Sequence, residues 1–321
     1  MSLARDIKDR ARELGFMACG ITDTSPVAHA AELDHWLARG YGGTMRYLNR
    51  QAKRRKSPGR IAPQARSIII VSDNYYYRDR TPEDIPHVAS YARGTDYHTA
   101  TVKRINELAD WLRAKGATMA HCYVDAGPVP ERELAQRAGL GWIGKNTMLI
   151  SPRAGSFFFL GAVFTDLEVE PDPPFTADFC GTCTRCLDAC PTDALVGPRE
   201  LDATRCISYL TIEYRGDVPA ELASRFEGWG FGCDICNDVC PWNIRFARES
   251  EHGEFRPRGI WQEARTREFF DSMDEDEFER LFGDTPLERP GLAGMRRNWA
   301  LAFATGDGGD KEATDGAAGG E

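Results

Sequence analysis

Apolar positions in the first 170 residues alternate between two periods. Leu3, Ile7, Ala11 and Leu14 repeat at helical spacing and predict an amphipathic helix, after which Phe16 to Thr22 reads as a strand. Ala30, Leu33, Trp36 and Leu37 mark a second helix; Val102, Ile105, Leu108 and Leu112 mark another, stopping near Gly116. Ser67-Ile68-Ile69-Ile70-Val71-Ser72 is a β-branched run typical of a buried strand. Met119 to Val124 and Phe157 to Phe164 complete the strands. This alternation predicts an α/β domain over residues 1–170.

Pro171-Asp172-Pro173-Pro174 interrupts the pattern as a linker. A cysteine-rich stretch follows, assigned here to residues 171–245. Beyond it, Phe269, Phe270, Met273, Phe278, Leu281 and Phe282 suggest a helix, and Met295 to Ala304 one more, giving a short helical segment over 246–305. Residues 306–321 are rich in Gly, Ala and acids and read as disordered. The expected fold class is α+β: an N-terminal α/β domain, a small cysteine module and a short helical C-terminus.

Composition narrows the class. With 42% hydrophobic and 28% charged residues, the chain is globular, not fibrous or disordered. No run approaches the roughly 18 apolar residues of a membrane span. The charged N-terminus lacks the apolar core of a secretion signal, so a cytoplasmic, soluble protein without a membrane partner is expected. Four units of the net charge of −9 come from the tail, which holds five acids and one lysine. The remainder carries a basic block of Arg46, Arg50, Lys53, Arg54, Arg55, Lys56, Arg60 and Arg66 with no acid among them. Such a block fits phosphates or an anionic cofactor, and equally a solvated surface. Pro58 and Pro63 predict a short helix plus turn in place of one continuous helix.

Ten cysteines in a reducing compartment call for a role other than disulfides. Cys19 and Cys122 stand alone in apolar stretches and read as core thiols. The other eight read Cys180-x2-Cys183-x2-Cys186-x3-Cys190-Pro191, then Cys206, then Cys233-x2-Cys236-x3-Cys240-Pro241. The first run has bacterial ferredoxin spacing, in which the fourth cysteine serves the other cluster. Cross-over then gives one 4Fe–4S cluster to Cys180, Cys183, Cys186 and Cys240, and the second to Cys190, Cys206, Cys233 and Cys236. The competing reading, paired structural zinc sites, suits the 2-2-3 gaps and terminal proline poorly. Two clusters relay electrons, so another part of the chain must use them.

Val124-Asp125-Ala126-Gly127-Pro128 places a carboxylate where a strand gives way to a turn, a common ligand position in α/β sheets. Read alone, Asp125 is as well explained as a helix N-cap ahead of Glu131. Ala138-Gly139-Leu140-Gly141-Trp142-Ile143-Gly144-Lys145-Asn146 is a glycine-rich loop but neither a Walker motif nor a dinucleotide fingerprint. Asp96-Tyr97-His98 begins like a cobalamin-ligating Asp-x-His-x-x-Gly motif, but Thr101 stands where the glycine belongs, so His98 is not read as a cobalt ligand.

Together, Tyr91-Ala92-Arg93-Gly94-x-Asp96-Tyr97-His98, Val124-Asp125-x-Gly127-Pro128-Val129, Arg137 to Thr147, Cys206 to Glu213 and Gly232-Cys233-Asp234-Ile235-Cys236-x-x-Val239-Cys240-Pro241 resemble the epoxyqueuosine reductases. These are cobalamin- and iron–sulfur-dependent tRNA modification enzymes. The resemblance runs from the N-terminal segment to about residue 300. It implies reduction of epoxyqueuosine to queuosine at the tRNA wobble position, the last step of queuosine biosynthesis. Base-off cobalamin would lie between the N-terminal domain and the cluster module. Asp125 becomes the proton donor, its burial keeping it protonated. Arg55, Ala89, Asp125, Leu149, Leu160, Ser208, Asp234 and Ile235 become cobalamin contacts. The implied partners are tRNA carrying epoxyqueuosine and an electron donor of the flavodoxin or ferredoxin kind, with the chain acting as a monomer. Two alternatives are a reductive dehalogenase, a class typically exported behind a twin-arginine signal not found in this N-terminus, and a non-catalytic ferredoxin. The latter would leave Asp125 and the Trp142 to Thr147 loop unexplained.

Overall fold

A computed structural model describes residues 2–78 and 85–306 of the chain. The tail read as disordered lies, from Asp307 on, outside the described residues.

Four strands form the central sheet: β1 (Ala18–Thr22), β2 (Ser67–Asn74), β3 (Ala120–Tyr123) and β4 (Phe158–Thr165). Their order is β1–β2–β4–β3, and every neighbouring pair is antiparallel. The alternation of helices and strands predicted over residues 1–170 is present, and the connections return each strand antiparallel to its neighbour. The apolar run in β2 has its own cause. Ile69 and Val71 face a core with Ile7 and Ala11 of α1 (Leu3–Glu13) and with Ile105, Leu108 and Leu112 of a long helix, Tyr97–Ala114. Ile68 and Ile70 face a second core with Leu134, Ala135 and Ala138, on and just past the helix Glu131–Arg137. A sheet covered on both faces needs apolar side chains at every position, whatever its strand direction.

The proline-rich linker is pinned along β1. Ile21 N–H donates to Asp172 Oδ2 at 2.8 Å, Asp172 N–H donates to Ile21 O at 2.8 Å, and Lys8 pairs with the same carboxylate. These bonds occupy backbone groups of an edge strand that would otherwise lie open.

The basic block folds as a helix, Arg46–Arg55, followed by a 3-10 turn, Pro58–Arg60, as the prolines predict. Arg46, Arg50, Lys53 and Arg54 lie at helical spacing and are exposed. The C-terminal part packs around its own aromatic core: Trp261, Phe270, Phe278, Phe282 and Trp299, closed by Phe231 and Val88. Its helices are Glu275–Phe282 and Gly291–Gly306. Phe269 to Met273, read as part of a helix, precedes the first of them, which begins at the N-cap Asp274. A short parallel pair, His87–Val88 with Trp229–Phe231, joins the N-terminal half to the cysteine module.

Candidate active site

Asp125 follows β3 in a turn that its own φ of 47° and the 79° of Gly127 carry through the left-handed region. Its exposed carboxylate accepts a hydrogen bond from Tyr97 Oη at 2.6 Å. The helix-cap reading fails: Pro130 occupies the N-cap of the helix beginning at Glu131, with no side-chain cap bond. Instead the Glu131 side chain reaches back and accepts the Asp125 N–H at 2.7 Å. Arg55, half-buried at the end of the basic helix, donates to Gly127 O at 3.0 Å and Val129 O at 3.2 Å. The turn is thus held at its carboxylate, at its N–H and at two carbonyls.

The electrostatics follow. Burial pushes the Glu131 carboxyl up to about 8, and the neighbouring Asp125 charge adds to the effect. Burial, then the Asp125 charge, also raise the Tyr97 phenol, so it stays a neutral donor. His98 is raised chiefly by its hydrogen bond to Asp96, whose carboxylate also accepts the His98 N–H and caps the long helix. The burial expected at Asp125 is not found: the left-handed turn brings Asp125 outward, while Glu131 is half-buried.

The other expected contacts fall on two walls. Leu149 is buried and Leu160 partly buried in the apolar cluster that also holds Val129 of the Asp125 turn. Ala89 and Ile235 belong to a separate cluster with Ile207 and Tyr209, the residues flanking Ser208. Buried Asp234 accepts the Ser90 N–H at 2.6 Å. A Cβ at Gly232, whose φ is 64°, would stand 2.6 Å from Ala89 Cβ, so glycine lets the two segments meet. Tyr91 belongs to this second wall and lies 6.1 Å from the ring of Tyr97, linking it to Asp125. Two largely apolar walls with sparse polar groups suit a broad, amide-edged ring. Arg55 Nε, buried and without a partner, offers one donor to such a ligand. The residues fit a corrin.

Cys180 and Cys240 belong to one apolar cluster, and Cys206 and Cys233 to another. Burial raises the Cys186 thiol, followed by Cys180, Cys240 and Cys183 among its neighbours; Cys240 is raised by burial, then by Cys180 and Cys183. Burial and then Cys236 raise Cys233, and burial raises Cys236, with Cys206, Asp234, Cys186 and Cys190 adding to the effect. Among the described residues no three Cys, His, Asp or Glu groups gather tightly enough for a single metal ion. A tetrahedral zinc needs all its sulfurs about 2.3 Å from one point, whereas a cubane spreads them over four iron corners. Donors to sulfur are in place: Trp142 Nε1 to Cys180 at 3.4 Å and Ala194 N–H to Cys190 at 3.3 Å. The thiols fit two clusters. Cys19 and Cys122 lie elsewhere, burial lifting them to about 12 and about 11, which leaves them protonated.

Sequence reading missed the latch on Asp125. Tyr97 lies inside a motif already singled out, but its role depends on a contact 28 residues away. Glu131 was noted only as a helix start.

Fold and site together define an iron–sulfur oxidoreductase. A family described as a 4Fe-4S double cluster binding domain matches residues 179–243, and one described as epoxyqueuosine reductase QueG, DUF1730, matches residues 55–126. The epoxyqueuosine reductase of Pseudomonas aeruginosa is 43% identical over 94% of this chain and 85% of its own length. That of Gloeobacter violaceus is 42% identical over 95% and 97%. A crystal structure of epoxyqueuosine reductase with an epoxyqueuosine-modified tRNA-Tyr stem loop superposes with a TM-score of 0.85 at 30% identity, covering 95% of this chain and 81% of that one. The Bacillus subtilis structure, its catalytic aspartate loop swung out of the active site, gives 0.84 at 29% identity over 95% and 82%. The chain belongs to the epoxyqueuosine reductase family.

Proposed function

We propose that this chain reduces the epoxide of epoxyqueuosine in tRNA to the alkene of queuosine, releasing water. The observation that carries the reading is Asp125, an acid on a braced left-handed turn, in a chain that also carries eight cysteines at double-cluster spacing. Opening the epoxide consumes two electrons and two protons. Cobalamin, when bound, supplies the reduced cobalt that passes electrons to the epoxide carbon.

The remaining work belongs to the chain. Asp125, exposed to solvent, takes up a proton there and delivers it from Oδ1 to the departing oxygen, Oδ2 being engaged by Tyr97; the second proton needed to release water also comes from solvent. Glu131 and Arg55 hold the turn so that this proton meets the substrate. Leu149 and Leu160 form one wall for the corrin; Ala89, Ser208, Asp234 and Ile235 form the other, with Arg55 at the edge. Cys180, Cys183, Cys186 and Cys240 hold one 4Fe–4S cluster, and Cys190, Cys206, Cys233 and Cys236 the second. Because Asp234 and Ile235 lie between Cys233 and Cys236, the second cluster is the one beside the corrin. The division follows residues 1–170 for the catalytic part and 171–245 for the relay. Arg46, Arg50, Lys53 and Arg54, exposed along one helix, meet RNA phosphates.

The deciding test is anaerobic reconstitution and reduction by dithionite, with epoxyqueuosine-containing tRNA as substrate and the nucleosides resolved by mass. About eight irons and one cobalamin per chain are expected, together with conversion to queuosine. Dehalogenation of a halogenated phenol, with no change in the tRNA, would overturn the reading.

A further inference from the structure

Among the described residues four large apolar side chains are markedly exposed, and three of them, Phe179, Val196 and Ile244, belong to the cysteine module. Phe179 directly precedes Cys180, and Ile244 lies one turn beyond Cys240 in the helix Pro241–Phe246, its N–H bonded to Cys240 O at 3.0 Å. Both therefore border the first group of four thiols. Beneath them is an aromatic cap. Trp142 donates to Cys180 Sγ and packs at 5.2 Å from the ring of Phe179 and 5.0 Å from that of Trp242, which stacks on Phe246 at 5.3 Å.

The rim is cationic. The segments 142–155, 176–188 and 241–247, with Arg199, contribute Lys145, Arg153, Arg185, Arg199 and Arg245 against two carboxylates, Asp178 and Asp188; Glu249 and Glu251 follow further along the chain, beyond Arg248. Asp178 is paired with Arg199 at 2.5 Å, and Lys145 donates to Gly181 O and Cys183 O on the cysteine loop itself. This concentration of positive charge occurs in a chain of net −9. An apolar centre with a charged rim has the anatomy of a transient protein interface. Two of the three exposed members, Ile244 at 68% and Val196, are aliphatic and give a base no stacking surface, and the third, Phe179, already packs edge-on against Trp142, which favours protein over RNA.

We infer that this patch, at the outer edge of the first thiol group, is the docking surface for an acidic protein that carries one electron at a time. The inference rests on the cluster assignment proposed above and adds the point of entry. Each encounter transfers one electron from the reduced carrier to the first cluster, and the carrier leaves oxidised by one electron. Two encounters supply the two electrons that epoxide opening consumes. The order of travel is patch, first cluster, second cluster, corrin.

The test uses the full reconstituted chain and a purified acidic flavodoxin in its hydroquinone form. Stopped-flow absorbance follows flavin oxidation, and binding is measured at low and high salt. The double variant Ile244→Glu, Arg245→Glu is expected to slow the second-order flavin oxidation by about tenfold or more and to weaken the salt-sensitive binding. Arg245→Lys should retain most of the rate. Iron content, tRNA affinity and dithionite-driven turnover should match the parent chain. Parent-like flavin oxidation in the double variant overturns the inference. So does loss of tRNA affinity, which would make the patch an RNA surface, or a changed oligomeric state, which would make it a contact between copies. Should the parent fail to convert tRNA with dithionite while still oxidising flavodoxin through this patch, the substrate assignment fails and the docking surface stands.

Discussion

Asp125 and Glu131 are two carboxyl groups in one turn with opposite surroundings. Asp125 projects outward on a left-handed residue with Tyr97 donating to it, whereas Glu131 is drawn inward to bind the Asp125 N–H. Asp125→Asn keeps the shape and removes the acid. It should lower kcat on epoxyqueuosine tRNA by about 10²–10⁴-fold, with cobalamin uptake, followed by its visible spectrum, nearly unchanged. Glu131 has the more unusual pH behaviour. Its folded-state value, about 8, lies above the ordinary 4.5, so folding favours the protonated form. The associated stability is fully present below about pH 4.5 and is lost as the pH rises through about 8. Glu131→Gln retains an acceptor for the Asp125 N–H and cannot ionise. Its melting temperature should therefore fall less than the parent's between neutral pH and pH 9. Equal falls in the two proteins would refute the effect.

At the scale of elements, packing against the sheet sets the tolerances. Gly20 in β1 faces the end of the helix Glu131–Arg137 so closely that an added Cβ would lie 2.1 Å from Ala138 O. A backbone carbonyl cannot swing away as a side chain can. Gly20→Ala should cost about 1–3 kcal/mol, seen as a lower melting temperature, and should disturb the Asp125 turn through that same helix. Most elements were legible from periodicity: β2, β4, the first helix and the helix ending near Gly116 all lie where their apolar spacing puts them. Strand direction was not legible. Burial on both faces writes the same apolar run into parallel and antiparallel strands, so Ile68 to Val71 marked a buried strand without giving its direction, which the register shows to be antiparallel. The strand that ends before Asp125 belongs to an antiparallel sheet, so the proposed role of Asp125 rests on its turn, its Tyr97 contact and its motif.

Across the whole molecule, one buried network joins the sheet to the C-terminal part. Asp73, at 0% exposure in β2, accepts from Thr101 Oγ1 at 2.6 Å and from Arg104, which also binds Glu254; His252 Nε2 lies 3.4 Å from Asp73 Oδ1. Arg104→Ala leaves the Asp73 charge buried without its main partner. A loss of about 3–5 kcal/mol is expected, with faster hydrogen exchange concentrated at His252 to Phe255. The clusters act at the same scale. Eight thiols held close together without metal have no shared cation, so iron chelation should loosen residues 179–243, read by limited proteolysis, before the sheet unfolds.

The sequence by itself determined the double-cluster module, because cysteines separated by two and three residues suit cubane geometry and that spacing is local. It also determined the family, whose motifs lie along most of the chain. The tertiary structure alone decided how the acid is held. Tyr97 and Asp125 are 28 residues apart, and Arg55 and Gly127 are 72 apart. Only the folding of a helix, a strand and a basic segment around one antiparallel sheet brings these groups within hydrogen-bond distance. Side-chain identity fixes which bonds a residue is able to make, and chain topology fixes which partner is near enough to make them.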